Sequence, residues 1–134
     1  SSSDICIFTA AVTDYKPNNV PKNKIKKSYN NLNISLEKTV DILTEMGNKK
    51  SDKQFIVGFA LETDNEVENA KNKLKAKNLD MIVLNSLNNK GAGFQHNTNK
   101  ITIIDKANNI CNFELKDKSK VAKDVIDKII ELSE

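Results

Sequence analysis

A chain of 134 residues is long enough for one hydrophobic core and too short for two comfortable ones. Its apolar share of 38% and charged share of 29% exclude wholesale disorder, and no run approaches the roughly 18 apolar residues of a membrane span. The net charge of +3 is mild, every cation is lysine, and the five Phe and two Tyr form no stacking pattern among the basic residues, so nucleic acid is not an expected partner.

In chain order, "DICIFTAAV" from Asp4 is dense in Ile, Phe and Val and predicts a strand buried on both faces. "DYKPNNVPKNKIKK" (14–27) follows. Pro17 and Pro21 restrict its backbone, and Lys22, Lys24, Lys26 and Lys27 crowd together with no acid beside them. Such a loop is suited to closing over a polyphosphate, or simply to sitting in solvent. "LNISL" (32–36) alternates as a short strand would, and "TVDILTEMG" from Thr39 predicts a short helix ending on Gly47 as a left-handed cap.

"QFIVGFA" from Gln54 predicts a second core strand. In "TDNEVENAKNKLKAKNLD", Thr63 and Glu66 have capping-box spacing, and Val67, Ala70 and Leu74 recur at helical spacing. "MIVLN" (81–85) predicts a buried strand, followed by a polar loop containing "KGAGF". "KITIID" and "NICNFEL" predict two strands around the turn "KANN" (106–109), and the tail from Lys118 predicts an amphipathic terminal helix. Strand, helix, strand, helix, strand is the order of an open parallel sheet with helical crossovers. The expected fold is therefore α/β and Rossmann-like, three layers around a mostly parallel sheet. With no basic-then-apolar leader, and with Cys6 and Cys111 inside apolar runs, a cytoplasmic protein with reduced core thiols is expected.

Ligands of such folds bind beyond the carboxyl ends of the strands. Ala10, Ala11, Gly58 and Ala60 lie there or nearby; small residues admit a ligand close to the backbone, or equally a helix packed on the sheet. At about 100° per residue, Lys73 and Lys77 fall together beside the Val67–Ala70–Leu74 stripe, whereas Lys71 and Lys75 point elsewhere. Other chemistries lack their residues. There is no GxxxxGK[ST] loop, "KGAGF" lacks dinucleotide glycine spacing, and His96 has no nucleophile beside it and is expected at the surface. Asp14 and Asp41 are candidates to help hold a nucleotide-bound Mg²⁺.

The ordered segments "AAVTDYKP", "KIKK", "VDIL", "VGFALET", "AKNKLKAKNLDMIVLN" and "GAGF" resemble the phosphopantothenoylcysteine synthetase family of coenzyme A biosynthesis, over nearly the whole chain. The resemblance implies a ligase that joins 4′-phosphopantothenate to cysteine with CTP and Mg²⁺ through an acyl-cytidylate, and a homodimer. In bacteria the activity is commonly fused to a flavin-dependent decarboxylase, so FMN is expected only in such a half and not here. Eukaryotic members tend to use ATP.

By the same resemblance Lys24 is the catalytic lysine of a mobile loop and Asp14 contacts the nucleotide. Val40, Asp41, Ile42 and Leu43 line the nucleotide pocket, with Val40 where the family usually has Pro. Phe59, Lys73 and Lys77 also meet the nucleotide, and Ala10 and Ala11 meet it through their backbone. The family's glycine-rich strand–helix unit and its asparagine do not precede Ser1, so these residues resemble the C-terminal two-thirds of the domain and are expected to be inactive alone. A second reading is a catalytically incomplete nucleotide-binding or dimerisation remnant.

Overall fold

The computed structural model describes residues 3–26, 31–86 and 96–133; the "KGAGF" segment, Lys27 and the first two serines lie outside them. Five strands form the central sheet: β1 (Ile5–Phe8), β4 (Phe55–Glu62), β5 (Met81–Ser86), β7 (Ile101–Asp105) and β8 (Ile110–Asn112), side by side in that order. β1, β4 and β5 are mutually parallel, while β7 runs antiparallel to both of its neighbours. Four of the five strands therefore point the same way.

Two short ribbons stand apart from this sheet. β2 (Tyr15–Pro17) pairs with β3 (Leu36–Lys38), and β6 (Thr98–Asn99) pairs with β9 (Lys116–Asp117). Helices α1 (Ile42–Lys49) and α2 (Glu66–Ala76) cover one face and α3 (Lys118–Ser133) the other, giving the three expected layers.

The strand period of two explains this layering. In β4, Ile56 and Ala60 join Ala70, Leu74, Leu79, Ile82 and Leu84 under α1 and α2, while Val57 joins Met81, Val83, Ile101 and Ile103 under Val121, Val125 and Ile129 of α3. Each fully buried Ile or Leu contributes about 1.5–3 kcal/mol.

Four sequence expectations are corrected. β1 is not buried on both faces: it is the sheet's edge, α3 packs over the β5 and β7 side, and Ile5 and Ile7 remain 45% and 39% exposed. The strand expected at 32–36 forms instead at Leu36–Lys38, where pairing with β2 supplies its hydrogen bonds.

Gly47 does not cap α1 but lies within it. A Cβ there would fall 1.8 Å from the Lys77 carbonyl oxygen, so close helix approach requires the glycine. The capping box does not form either. Asn65, at φ 43°, is the N-cap of α2, and the Glu66 carboxylate accepts from the Ser86 hydroxyl instead. The "KANN" turn occurs as expected, with Asn108 at φ 67°.

Candidate nucleotide cleft

The segment leaving β1 and the segment entering α1 face each other. The Thr39 N–H donates to the Asp14 carbonyl at 2.9 Å and the Thr39 hydroxyl to the Thr13 carbonyl at 2.5 Å. Between these segments, β4 and α2 lies a cleft of about 830 Å³. Its wall includes Ala10, Ala11, Asp14, Val40, Asp41, Ile42, Leu43, Phe59, Lys73 and Lys77. The structure thus brings together every candidate nucleotide residue except Lys24. Val12, Tyr15, Val40 and Ile42 are 47–62% exposed and leave part of the rim apolar.

Local chemistry fixes each part. Asp41 caps α1, its Oδ1 accepting from the Thr44 N–H at 3.0 Å. Lys73 and Lys77, four residues apart, emerge beside the stripe of Ala70 and Leu74 that anchors α2 in the core. Lys77 reaches Asp41 Oδ2 at 2.8 Å, and Lys73 reaches Glu62 Oε1 at 2.5 Å. Burial of Asp41 raises its carboxyl pKa, but hydrogen bonds from Lys77 and Thr44 outweigh this and bring it down from 3.8 to about 2. Lys71 and Lys75 face a separate groove with Lys106, as their helical angle required.

Of the four small residues, only Ala10 and Ala11 serve the cleft. A Cβ on Gly58 would meet Leu79 and Leu43 at 2.8 and 2.9 Å, and Ala60 is buried beneath α2; both permit packing. Lys24 is exposed and does not line the cleft; it lies in the chain between β2 and β3. His96 is exposed, and Cys6 and Cys111 are free, half-buried thiols.

Mg²⁺ can be tested against the donors present. Among the described residues, no group of three or more His, Cys, Asp or Glu side chains could hold a metal ion by itself. A cation carried on nucleotide phosphates needs only one or two protein carboxylates. Exposed Asp14 on the cleft wall fits that need, whereas both oxygens of Asp41 already accept hydrogen bonds. Among the described residues, no helix is long and apolar enough to cross a membrane.

A three-layer α/β domain with a lysine-lined cleft beside β1 and β4 defines the class. The DNA/pantothenate metabolism flavoprotein C-terminal domain family matches residues 1–132, and the chain belongs to that family. It is 42% identical over 132 residues to the coenzyme A biosynthesis bifunctional protein CoaBC of Bacillus subtilis (strain 168), covering 98% of this chain and 32% of that protein. It is 57% identical over 129 residues to a cysteine/cysteine sulfinic acid decarboxylase of an unknown prokaryotic organism, covering 96% of this chain and 36% of that one. The crystal structure of the C-terminal domain of CoaBC superposes with a TM-score of 0.74 at 37% identity, covering 96% of this chain and 54% of that domain. The chain thus spans about a third of the length of these curated relatives.

Glu62, the acid behind Lys73, escaped the sequence reading. The "ET" closing the second core strand was its only signal, and nothing in one sequence pairs it with a lysine eleven positions on.

Proposed function

We propose that this domain belongs to a phosphopantothenate–cysteine ligase of coenzyme A biosynthesis and forms the nucleotide side of its active site. One observation carries the reading: Lys73 and Lys77, picked out by helical angle, share a cleft with Ala10, Ala11 and Phe59. The two ammonium groups meet the phosphates of CTP, and the small side chains of Ala10 and Ala11 let the nucleotide approach the main chain.

In the reaction, a carboxylate oxygen of 4′-phosphopantothenate attacks the α-phosphorus and pyrophosphate departs. The cysteine amine then attacks the acyl carbon, loses a proton, and CMP leaves. The mixed anhydride divides one difficult substitution into two. Lys24, on its proline-restricted segment, closes over the cleft and stabilises negative charge on the acyl-cytidylate. Asp14 would contribute a carboxylate to a Mg²⁺ ion carried on the nucleotide phosphates, and the ion would supply further charge neutralisation. The reading places a homodimer in the cytoplasm, without FMN in this domain.

The test is Lys24→Gln in the full protein. Turnover is expected to fall by two orders of magnitude or more, roughly the value of one well-aimed charge donor, with the melting temperature unchanged. An unaltered rate sinks the role of the loop. A second reading, a nucleotide-binding remnant without ligase activity, is favoured by a cleft that is formed while Lys24 stays outside its lining. Isothermal titration with CTP and ATP distinguishes the two when paired with a turnover assay: CTP binding without ligation supports the remnant.

A further inference from the structure

Both lysines of the cleft are held by acids from other elements, and the two arrangements differ. Asp41 is half exposed and already caps a helix. Glu62 closes β4, its side chain only 13% exposed, while that of its partner Lys73 is 46% exposed. Glu62 Oε1 lies 2.5 Å from the Lys73 ammonium, and Oε2 accepts from Asn69 Nδ2 at 3.4 Å. Asn69 also donates to the Asp64 carbonyl at 2.8 Å. Asn69 and Lys73 stand four apart on α2, so one helix face supplies both donors to a single carboxylate at the end of β4.

We propose that Glu62 is a positioning residue for the nucleotide: it fixes the Lys73 ammonium at the cleft wall so that its remaining N–H groups address the phosphates of a nucleoside triphosphate. The inference rests on the nucleotide-cleft reading above. An ammonium has three donors; one goes to Glu62 and two remain. A lysine stem is flexible, and holding it in advance removes much of the ordering cost that phosphate binding would otherwise carry. The burial asymmetry sets the division of labour. The enclosed acid, tied to Asn69, stays in place, and the exposed cation presents its outer side to the ligand. An acid acting as a rival to phosphate would be the exposed, movable partner, and here it is the enclosed one.

The experiment is isothermal titration of Mg–CTP into the full protein and its Glu62→Gln, Lys73→Met, Asn69→Ala and double Glu62→Gln/Lys73→Met variants, with melting curves for each. Lys73→Met is expected to weaken binding roughly tenfold, the value of one charge-assisted contact. Glu62→Gln weakens it severalfold and Asn69→Ala less, while adding Glu62→Gln to Lys73→Met changes nothing further. Tighter binding in Glu62→Gln, or an undiminished effect in the Lys73→Met background, overturns the proposal. Should Glu62→Gln fail to fold, an unchanged affinity in Asn69→Ala overturns it. If Lys73→Met itself leaves affinity unchanged, the nucleotide-cleft reading falls; if only Glu62→Gln leaves it unchanged, the positioning role alone falls.

Discussion

Lys77 donates to Oδ2 of Asp41 across 2.8 Å, so the residue that ends α2 is fastened to the residue that begins α1. The Asp41 pKa is lowered in the fold from 3.8 to about 2, which means the unfolded chain takes up the proton more readily. The stabilisation is therefore complete above 3.8 and is lost as pH falls through about 2. Asp41→Asn keeps a capping oxygen but loses the charge pair. Because Asp41 is half exposed, the expected loss at neutral pH is under about 1 kcal/mol. Urea denaturation across the acid range should show the difference between parent and variant closing as pH approaches about 2.

Gly47→Ala tests the contact between the same two helices from the other end. The added methyl would fall 1.8 Å from the Lys77 carbonyl oxygen and 2.9 Å from its carbon, both backbone atoms. The helices must separate to admit it. Destabilisation of about 1–3 kcal/mol is expected despite alanine's better helix propensity. Displacement of Lys77 should also weaken Mg–CTP binding in the folded fraction. A variant as stable as the parent in urea would contradict the packing.

Lys50 and Asp80 form a pair of a different kind. The ammonium lies 2.7 and 2.8 Å from the two carboxylate oxygens, with side chains only 8% and 15% exposed. Asp80 Oδ2 also accepts the Ile56 N–H at 2.8 Å, joining β4 to the residue before β5. Lys50→Met leaves a largely enclosed carboxylate without its main cation, at a cost of about 3 kcal/mol. Adding Asp80→Asn should recover part of that loss, because the amide oxygen still accepts from Ile56. Chemical denaturation of the two single variants and the double checks this, and simple additivity would refute the coupling.

What could be foreseen from the sequence followed periodicity. Ile56, Val57, Ile82, Val83 and Leu84 lie in continuous apolar runs that only a two-sided sheet accommodates, and Ala70 and Leu74 fix the face of α2. Lys73 and Lys77 followed directly from that face. Relationships between distant segments stayed hidden. Gly47 looked like a helix end because its need for closeness arises from Lys77, thirty positions on. Thr63 and Glu66 matched a capping pattern, yet the Ser86 hydroxyl gave Glu66 a partner from another strand. Ile5 and Ile7 promised a buried strand, since composition does not tell an edge from a centre.

The three lysines of α2 and its C-cap, Lys77, provide a comparison along one helix. Lys73 and Lys77 line the cleft, while Lys71 and Lys75 line the other groove, so replacing either pair removes the same charge from the same segment. Lys73→Met/Lys77→Met is expected to weaken Mg–CTP binding on the order of a hundredfold, two charge-assisted contacts at about tenfold each. Lys71→Met/Lys75→Met should change it less than about threefold, since exposed charges beyond the contact shell are screened by salt. Titrations at two ionic strengths separate contact from long-range attraction. Equal losses in both pairs at low salt, vanishing together at high salt, would mean that α2 draws the nucleotide only through its overall charge and that the cleft does not hold it.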